Sequence, residues 1–234
     1  MLKIIKQLAC DIYGGDFKIT GREIELSDVR LLPPSEPSKI IATGLNYKDH
    51  AKELGFKAPD EPVIFMKPST SVIGNNDRII YPEMTKQLDY EAELAFIIKK
   101  KCRNIDKSKA REHILGYTYF NDVTARDLQK KDGQWTRAKS FDTFSPCGSF
   151  IVTEENGFDP MELDVELRLN GSVKQKSNTR NLMFDVYYLT AFISRIMTLL
   201  PGDMITTGTP GGIGPMQPGD VVEVEIENIG VLRN

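Results

Sequence analysis

The chain has 234 residues, a formal net charge of -3 and 40% hydrophobic residues, enough for one large domain, or a large and a small one. The near balance of charge argues against a nucleic-acid binder, which presents a basic face. The N-terminus lacks a signal-peptide apolar region, and no run of about 18 apolar residues occurs, so no membrane span is expected. Cys10, Cys102 and Cys147 are odd in number and form no CxxC pair. They fit reduced thiols in a cytoplasmic protein.

In chain order, residues 1–30 suggest short strands separated by Gly14-Gly15 and Gly21. LLPPSEPSK (31–39) contains three prolines, which fix φ and remove backbone donors, so it is expected to be a linker. Residues 1–37 are therefore taken as a small N-terminal segment and 38–234 as the main domain. KIIAT predicts a strand ended by Gly44. NYKDHAKELG (46–55) predicts a short helix with Asn46 as N-cap and Gly55 as stop. PVIFMK and DRIIYP are predicted strands on either side of Gly74-Asn75-Asn76. LDYEAELAFIIK has the strictest alternation and predicts the best strand. Lys99, Lys100 and Lys101 follow it and fit a solvated edge. KSKAREHIL is predicted helical, YTYFNDVT extended and TARDLQKK helical. SFIVT predicts a strand, and LDVELRLNGSVKQKS a hairpin turning at Asn170-Gly171. FDVYYLTAFISRIMTL predicts one long amphipathic helix stopped by Pro201-Gly202. DMITTG and DVVEVEIENIGVLRN complete a strand-rich pattern without regular βαβ alternation.

The acids of LDYEAELAF pose the central question. Side chains alternate along a strand, so Asp89, Glu91 and Glu93 share one face, and Tyr90, Ala92, Leu94 and Phe96 the other. A half-buried strand with an acidic solvent face explains this. So does a site for a hard cation, because carboxylates at i and i+2 can point at one ion. Asp122, after the aromatic run YTYFN, offers a third carboxylate. Asp127 sits beside Arg126 on a predicted helix and fits a salt bridge or surface role.

The two histidines are His50 and His113. Glu53 follows His50 by three residues, which on a helix places both on one face. A carboxylate behind an imidazole holds its tautomer and raises its basicity, as a general base requires. An exposed polar helix explains the same residues. His113 lies in a charged segment and fits the surface. TTGTPGGIGPMQPGD (206–220) completes neither GxxxxGK[ST] nor GxGxxG. It can still expose backbone N–H groups and Thr209 to a small anion.

Taken together, GLNYKDHAKE, PVIFMKPST, LDYEAELAFII, GYTYFNDVTARDLQ, WTRAKSFDTFSPCG and TTGTPGGIGPM resemble, in order, the motifs of the fumarylacetoacetate hydrolase family. The resemblance spans residues 44–216 and is strongest to the short acylpyruvase and oxaloacetate decarboxylase-like branch. It implies a mixed, mostly β fold with a rolled sheet and few helices, and a homodimer. It implies that Glu91, Glu93 and Asp122 bind Mg²⁺ or Mn²⁺, and that His50 and Glu53 activate water. Lys139 would stabilise an enolate, and Gln129 and Thr209 would contact a small 2-keto acid substrate. The expected activity is hydrolysis of a C–C bond in an acylpyruvate. The alternative is isomerisation, tautomerisation or decarboxylation of a 2-keto diacid on the same metal. Leu45 stands where some relatives carry Arg, which bears on substrate identity.

Overall fold

The computed structural model describes residues 25, 28–48, 59–154 and 157–234. The fold is mostly β. Strand β1 (Ile40–Gly44) pairs antiparallel with β2 (Val63–Lys67). A short ribbon strand, β3 (Val72–Ile73), follows. The acidic stretch forms β4 (Leu88–Tyr90) and β5 (Ala92–Ile98). Next come β6 (Ile114–Asn121) and β7 (Thr124–Ala125), helix α1 (Arg126–Asp132), helix α2 (Thr136–Lys139) and β8 (Ser145–Pro146). A hairpin, β9 (Asp164–Leu169) and β10 (Ser172–Asn178), precedes helix α3 (Val186–Ile196). Four strands close the chain: β11 (Met204–Thr206), β12 (Gly214–Met216), β13 (Val222–Ile226) and β14 (Gly230–Arg233).

The main sheet has the order β2-β1-β11-β5-β6. Two further sheets, β10-β9-β13-β14 and β12-β4-β7, pack around it, and β3 pairs with β8. Strand β5 lies inside the main sheet, and all seven of its residues are buried. Leu94, Phe96 and Ile98 enter one core cluster, while Ala95 and Ile97 join Ile40, Phe120 and Met204 in a second. Neither face of β5 lies on the outer surface. Each large apolar side chain buried there contributes about 1.5–3 kcal/mol relative to exposure. The half-buried strand with a solvent-facing acid row is thus excluded.

The expected single strand is also two. β4 belongs to the β12-β4-β7 sheet and β5 to the main sheet, and the chain crosses between them at Glu91. Its backbone groups need partners outside a regular ladder. The Glu91 N–H donates to Asn121 Oδ1 at 2.9 Å, and the Glu91 carbonyl accepts from the Asp122 N–H at 2.9 Å. The Ala92 N–H donates to Gln175 Oε1 at 2.9 Å.

Other expectations met the structure unevenly. Asn170 and Gly171, with φ of 50° and 76°, make the predicted hairpin turn. Helix α3 forms, capped by Asp185 accepting from the Tyr188 N–H, but ends at Ile196, before Pro201. KSKAREH is a 3-10 helix over Lys107–His113. DRIIYP is not a strand: Asp77 caps a turn by accepting from the Gly74 N–H, and the Ile80 N–H goes to the Thr143 hydroxyl. SFIVT forms only an isolated bridge, Val152 to Tyr117. The helix expected over 46–55 falls mostly on residues 49–58, outside the described residues. Among the described residues, no helix is long and apolar enough to cross a membrane.

Candidate active site

The crossing at Glu91 brings three carboxylates together. Glu93 projects from β5, Glu91 from the crossing and Asp122 from the end of β6. One oxygen of each lies within 4.8 Å of the others, and all three residues are buried. Like charges this close in a dry interior demand compensation. Lys139 Nζ, at the end of α2, donates to Glu91 at 2.9 Å and Asp122 at 2.5 Å. Lys67 Nζ, at the end of β2, donates to the other Asp122 oxygen at 2.5 Å and to the Val123 carbonyl at 3.3 Å. Arg126, opening α1, donates from Nε to Asp89 at 2.8 Å, from Nη1 to Gln129 Oε1 at 2.5 Å, and from Nη2 to Glu91. The Thr124 hydroxyl donates to Glu91 at 2.9 Å.

Glu93 is treated differently. It accepts the Gly208 N–H at 2.9 Å but has no ion pair among the described residues. Burial, then the neighbouring Asp122 and Glu91 charges, push its carboxyl well above the usual range. Burial also pushes Glu91 up, but Lys139 and Arg126 outweigh it and hold its carboxyl at about 2. Burial lowers Lys67, against the pull of Asp122. Lys139 is raised: burial opposes its charge, but Asp122 and Glu91 prevail.

This donor set fits a hard divalent cation. All three groups offer oxygen, and each carboxylate has at least one oxygen with a lone pair beyond those its protein donors use: Glu91 Oε1 is taken by Thr124 and Arg126, but Glu91 Oε2 accepts from Lys139 alone. Among the described residues, Glu93 is the triad member without an ion pair, and so the place where positive charge is missing. Metal binding is therefore expected to displace a proton from Glu93 in mildly acidic buffer. Calorimetric titration with Mg²⁺ in buffers of different ionisation enthalpy would read it. Heats that do not vary with buffer would count against this.

The triad forms the floor of a cavity of about 640 Å³. Arg126, Gln129, Lys139 and Thr209 line its polar side, and Leu45, Phe65, Trp135 and Ile213 its apolar side. Trp135 meets Phe65 edge-on with ring centroids 5.1 Å apart. It also covers Gly44, where an added Cβ would lie 2.6 Å from the indole. Leu45 has φ of 53°, a left-handed conformation uncommon for leucine and a local strain at the cavity wall.

A model of the C-terminal domain of fumarylacetoacetate hydrolase matches residues 39–234. The chain belongs to the fumarylacetoacetate hydrolase family. It is 57% identical over 230 residues to a protein of Archaeoglobus fulgidus, covering 95% of this chain and 91% of that one. It is 44% identical to the mitochondrial oxaloacetate tautomerase of Xenopus laevis, covering 89% of this chain and 68% of that one. Among solved structures, the 5-carboxymethyl-2-hydroxymuconate delta-isomerase of Mycobacterium smegmatis superposes with a TM-score of 0.85 at 49% identity. That match covers 92% of this chain and 84% of the other.

Within this fumarylacetoacetate hydrolase fold, Glu91, Glu93, Asp122, Lys139, Gln129 and Thr209 all line one cavity. His50 and Glu53 lie outside the described residues. The glycine-rich loop does not offer Gly208 to an anion, since that N–H is spent on Glu93. Asp127 makes no salt bridge with Arg126; it accepts from the Thr85 hydroxyl and the Lys86 N–H. Sequence reasoning missed Lys67, Arg126, Asp89 as the holder of Arg126, and Thr43. The Thr43 hydroxyl is buried in the cavity wall, with no hydrogen-bond partner among the described residues. Arg126 could have been found from its i, i+3 spacing to Gln129 on a helix. Lys67 carries a fainter signal, a lone lysine closing the apolar run VIFM before Pro68.

Asp89 thus parts company with Glu91 and Glu93. It accepts from Arg126 Nε and from the Gln87 amide at 3.0 Å, and so fixes the guanidinium that Glu91 and Gln129 share. Asp89→Asn should leave the triad intact but loosen Arg126, lowering kcat/KM by about 10–100-fold. Steady-state kinetics on the Mg²⁺-loaded variant would check it, and wild-type kcat/KM would remove Asp89 from this role.

Proposed function

We propose that the protein is a divalent-metal-dependent tautomerase or isomerase of 2-keto dicarboxylic acids, moving a proton between carbon and oxygen beside the 2-keto group. The observation that carries this reading is the buried carboxylate triad in a cavity that also presents the donors Lys139, Arg126 and Gln129, its fourth acid, Asp89, being paired with Arg126. Such a floor suits a substrate that becomes more negative as it reacts. The tautomerase and isomerase names of the two relatives above support it.

A divalent cation held by Glu91, Glu93 and Asp122 supplies Lewis-acid polarisation of the 2-keto oxygen when bound. The chain's own groups do the rest. Lys139 stays charged between its two carboxylates and meets the negative charge that grows on the substrate oxygen. Gln129 Oε1 accepts from Arg126, which leaves the Gln129 amide hydrogens for the substrate carboxylate. Enol-to-keto conversion removes a proton from the enol oxygen and delivers one to C3. The His50–Glu53 pair is proposed as the carrier of that proton.

Hydrolysis of acylpyruvates, the first expectation from sequence, uses the same floor but requires the pair to activate water. One experiment separates the two. The enol of oxaloacetate should lose its ultraviolet absorbance faster with protein and Mg²⁺, and not with EDTA. No acceleration would sink the tautomerase reading. Pyruvate released from acetylpyruvate would restore hydrolysis.

A further inference from the structure

Strand β10 runs largely exposed, yet Gln175 within it is 1% exposed. The β9–β10 register slips between Val173 and Gln175, a bulge that turns the Gln175 side chain inward. Gly212, at φ of 89°, packs against this bulge; a Cβ there would lie 2.4 Å from the Lys174 carbonyl. The loop carrying Thr209 is thereby seated on Gln175.

The partners of the Gln175 amide leave one orientation. Its Oε1 accepts from the Ala92 N–H at 2.9 Å, and a backbone N–H can only donate. Its Nε2 donates to the Pro210 carbonyl at 2.9 Å, and a carbonyl can only accept. The second Nε2 hydrogen goes to Thr209 Oγ1 at 2.9 Å, with the Gly211 carbonyl, another pure acceptor, farther off at 3.4 Å. A flipped amide would face donor to donor and acceptor to acceptor. The Thr209 oxygen therefore receives, and its own hydrogen must go elsewhere. Among the described residues no acceptor for it is found, and Thr209 lines the cavity.

We infer that Gln175 is a positioning residue that fixes the Thr209 hydroxyl as a hydrogen-bond donor into the cavity, toward an oxygen of an anionic substrate. This rests on the proposed function, since it requires an anion in the cavity. Gln175 does not line the cavity. Its Nε2 reaches the cavity through Thr209, while its Oε1 holds the Ala92 N–H at the crossing beside Glu91.

The test is a double-mutant cycle on the full chain loaded with Mg²⁺. Oxalate, a planar dianion, serves as probe by calorimetry, and oxaloacetate tautomerisation is followed beside it. In Gln175→Glu the carboxylate still accepts from Ala92 but can only accept at Thr209, so the hydroxyl turns away from the cavity. Oxalate affinity should fall about tenfold, Mg²⁺ affinity should hold, and Thr209→Val should cost a similar factor. Gln175→Glu, which keeps the acceptor for the Ala92 N–H, should lose little further affinity when combined with Thr209→Val. Thr209→Ser should bind oxalate as the wild type does. Multiplying losses in the double variant, a parallel fall in Mg²⁺ affinity, or no oxalate binding by the wild type would each overturn the inference. Oxalate binding with the expected cycle but without tautomerisation would uphold the inference and reject the proposed reaction.

Discussion

Glu93→Gln is expected to abolish Mg²⁺ binding and turnover together. The substitution keeps the shape, and the amide oxygen can still accept from the Gly208 N–H. It removes the one carboxylate of the triad that has no ion pair among the described residues. Glu91 and Asp122 would remain, but Lys139, Lys67 and Arg126 already balance them. The loss of affinity should exceed the roughly 10–100-fold typical of outer-shell changes. Metal-free, the variant should be more stable than the wild type, because a neutral amide escapes the burial and like-charge repulsion that raise the Glu93 carboxyl. Calorimetry with Mg²⁺ and melting in EDTA would measure both. A fully active, EDTA-sensitive variant would remove Glu93 from the metal site.

Lys67→Met should do the opposite to the empty protein. Both the lysine and its partner are buried, and methionine leaves one Asp122 oxygen without its donor. Breaking a buried pair from one side costs about 3–5 kcal/mol. Lys139 still serves the other oxygen, so the low end is expected, about 3 kcal/mol, or a fall in Tm of roughly 6–12 °C in a chain of this size. Saturating Mg²⁺ should return much of that, since a cation bound only by the folded state stabilises it. Equal melting temperatures of variant and wild type in EDTA would show that Asp122 does not depend on Lys67.

The same two residues show what could be read from the sequence. Glu91 and Glu93 are legible because a two-residue period puts acids on one strand face, and Asp122 because an aromatic extended run ends on it. The six ordered motifs carried the family and the mostly β fold. The break of the strand at Glu91 was not legible. It depends on Asn121 and Gln175, whose side chains satisfy the backbone there from 30 and 83 residues away. Asp89 looked equivalent to its neighbours for the same reason. Lys67 was hidden because nothing local distinguishes a buried lysine from one that ends a strand in water. DRIIYP has the apolar content of a strand but no partner strand; side chains from Asp77 and Thr143 take its place.

The crossing at Glu91 also bears on when the site comes into being. Its fixings reach forward to Asn121, to Gln175 and, through Glu93, to Gly208, 115 residues beyond that acid. Contacts of such separation form late, after the loops between them have closed. A ribosome-bound chain that has not yet reached residue 208 lacks the last of these clasps. Metal capture should therefore report closure of the chain as far as the loop after β11, and a chain released before that point would pass through the cell without gathering the ion.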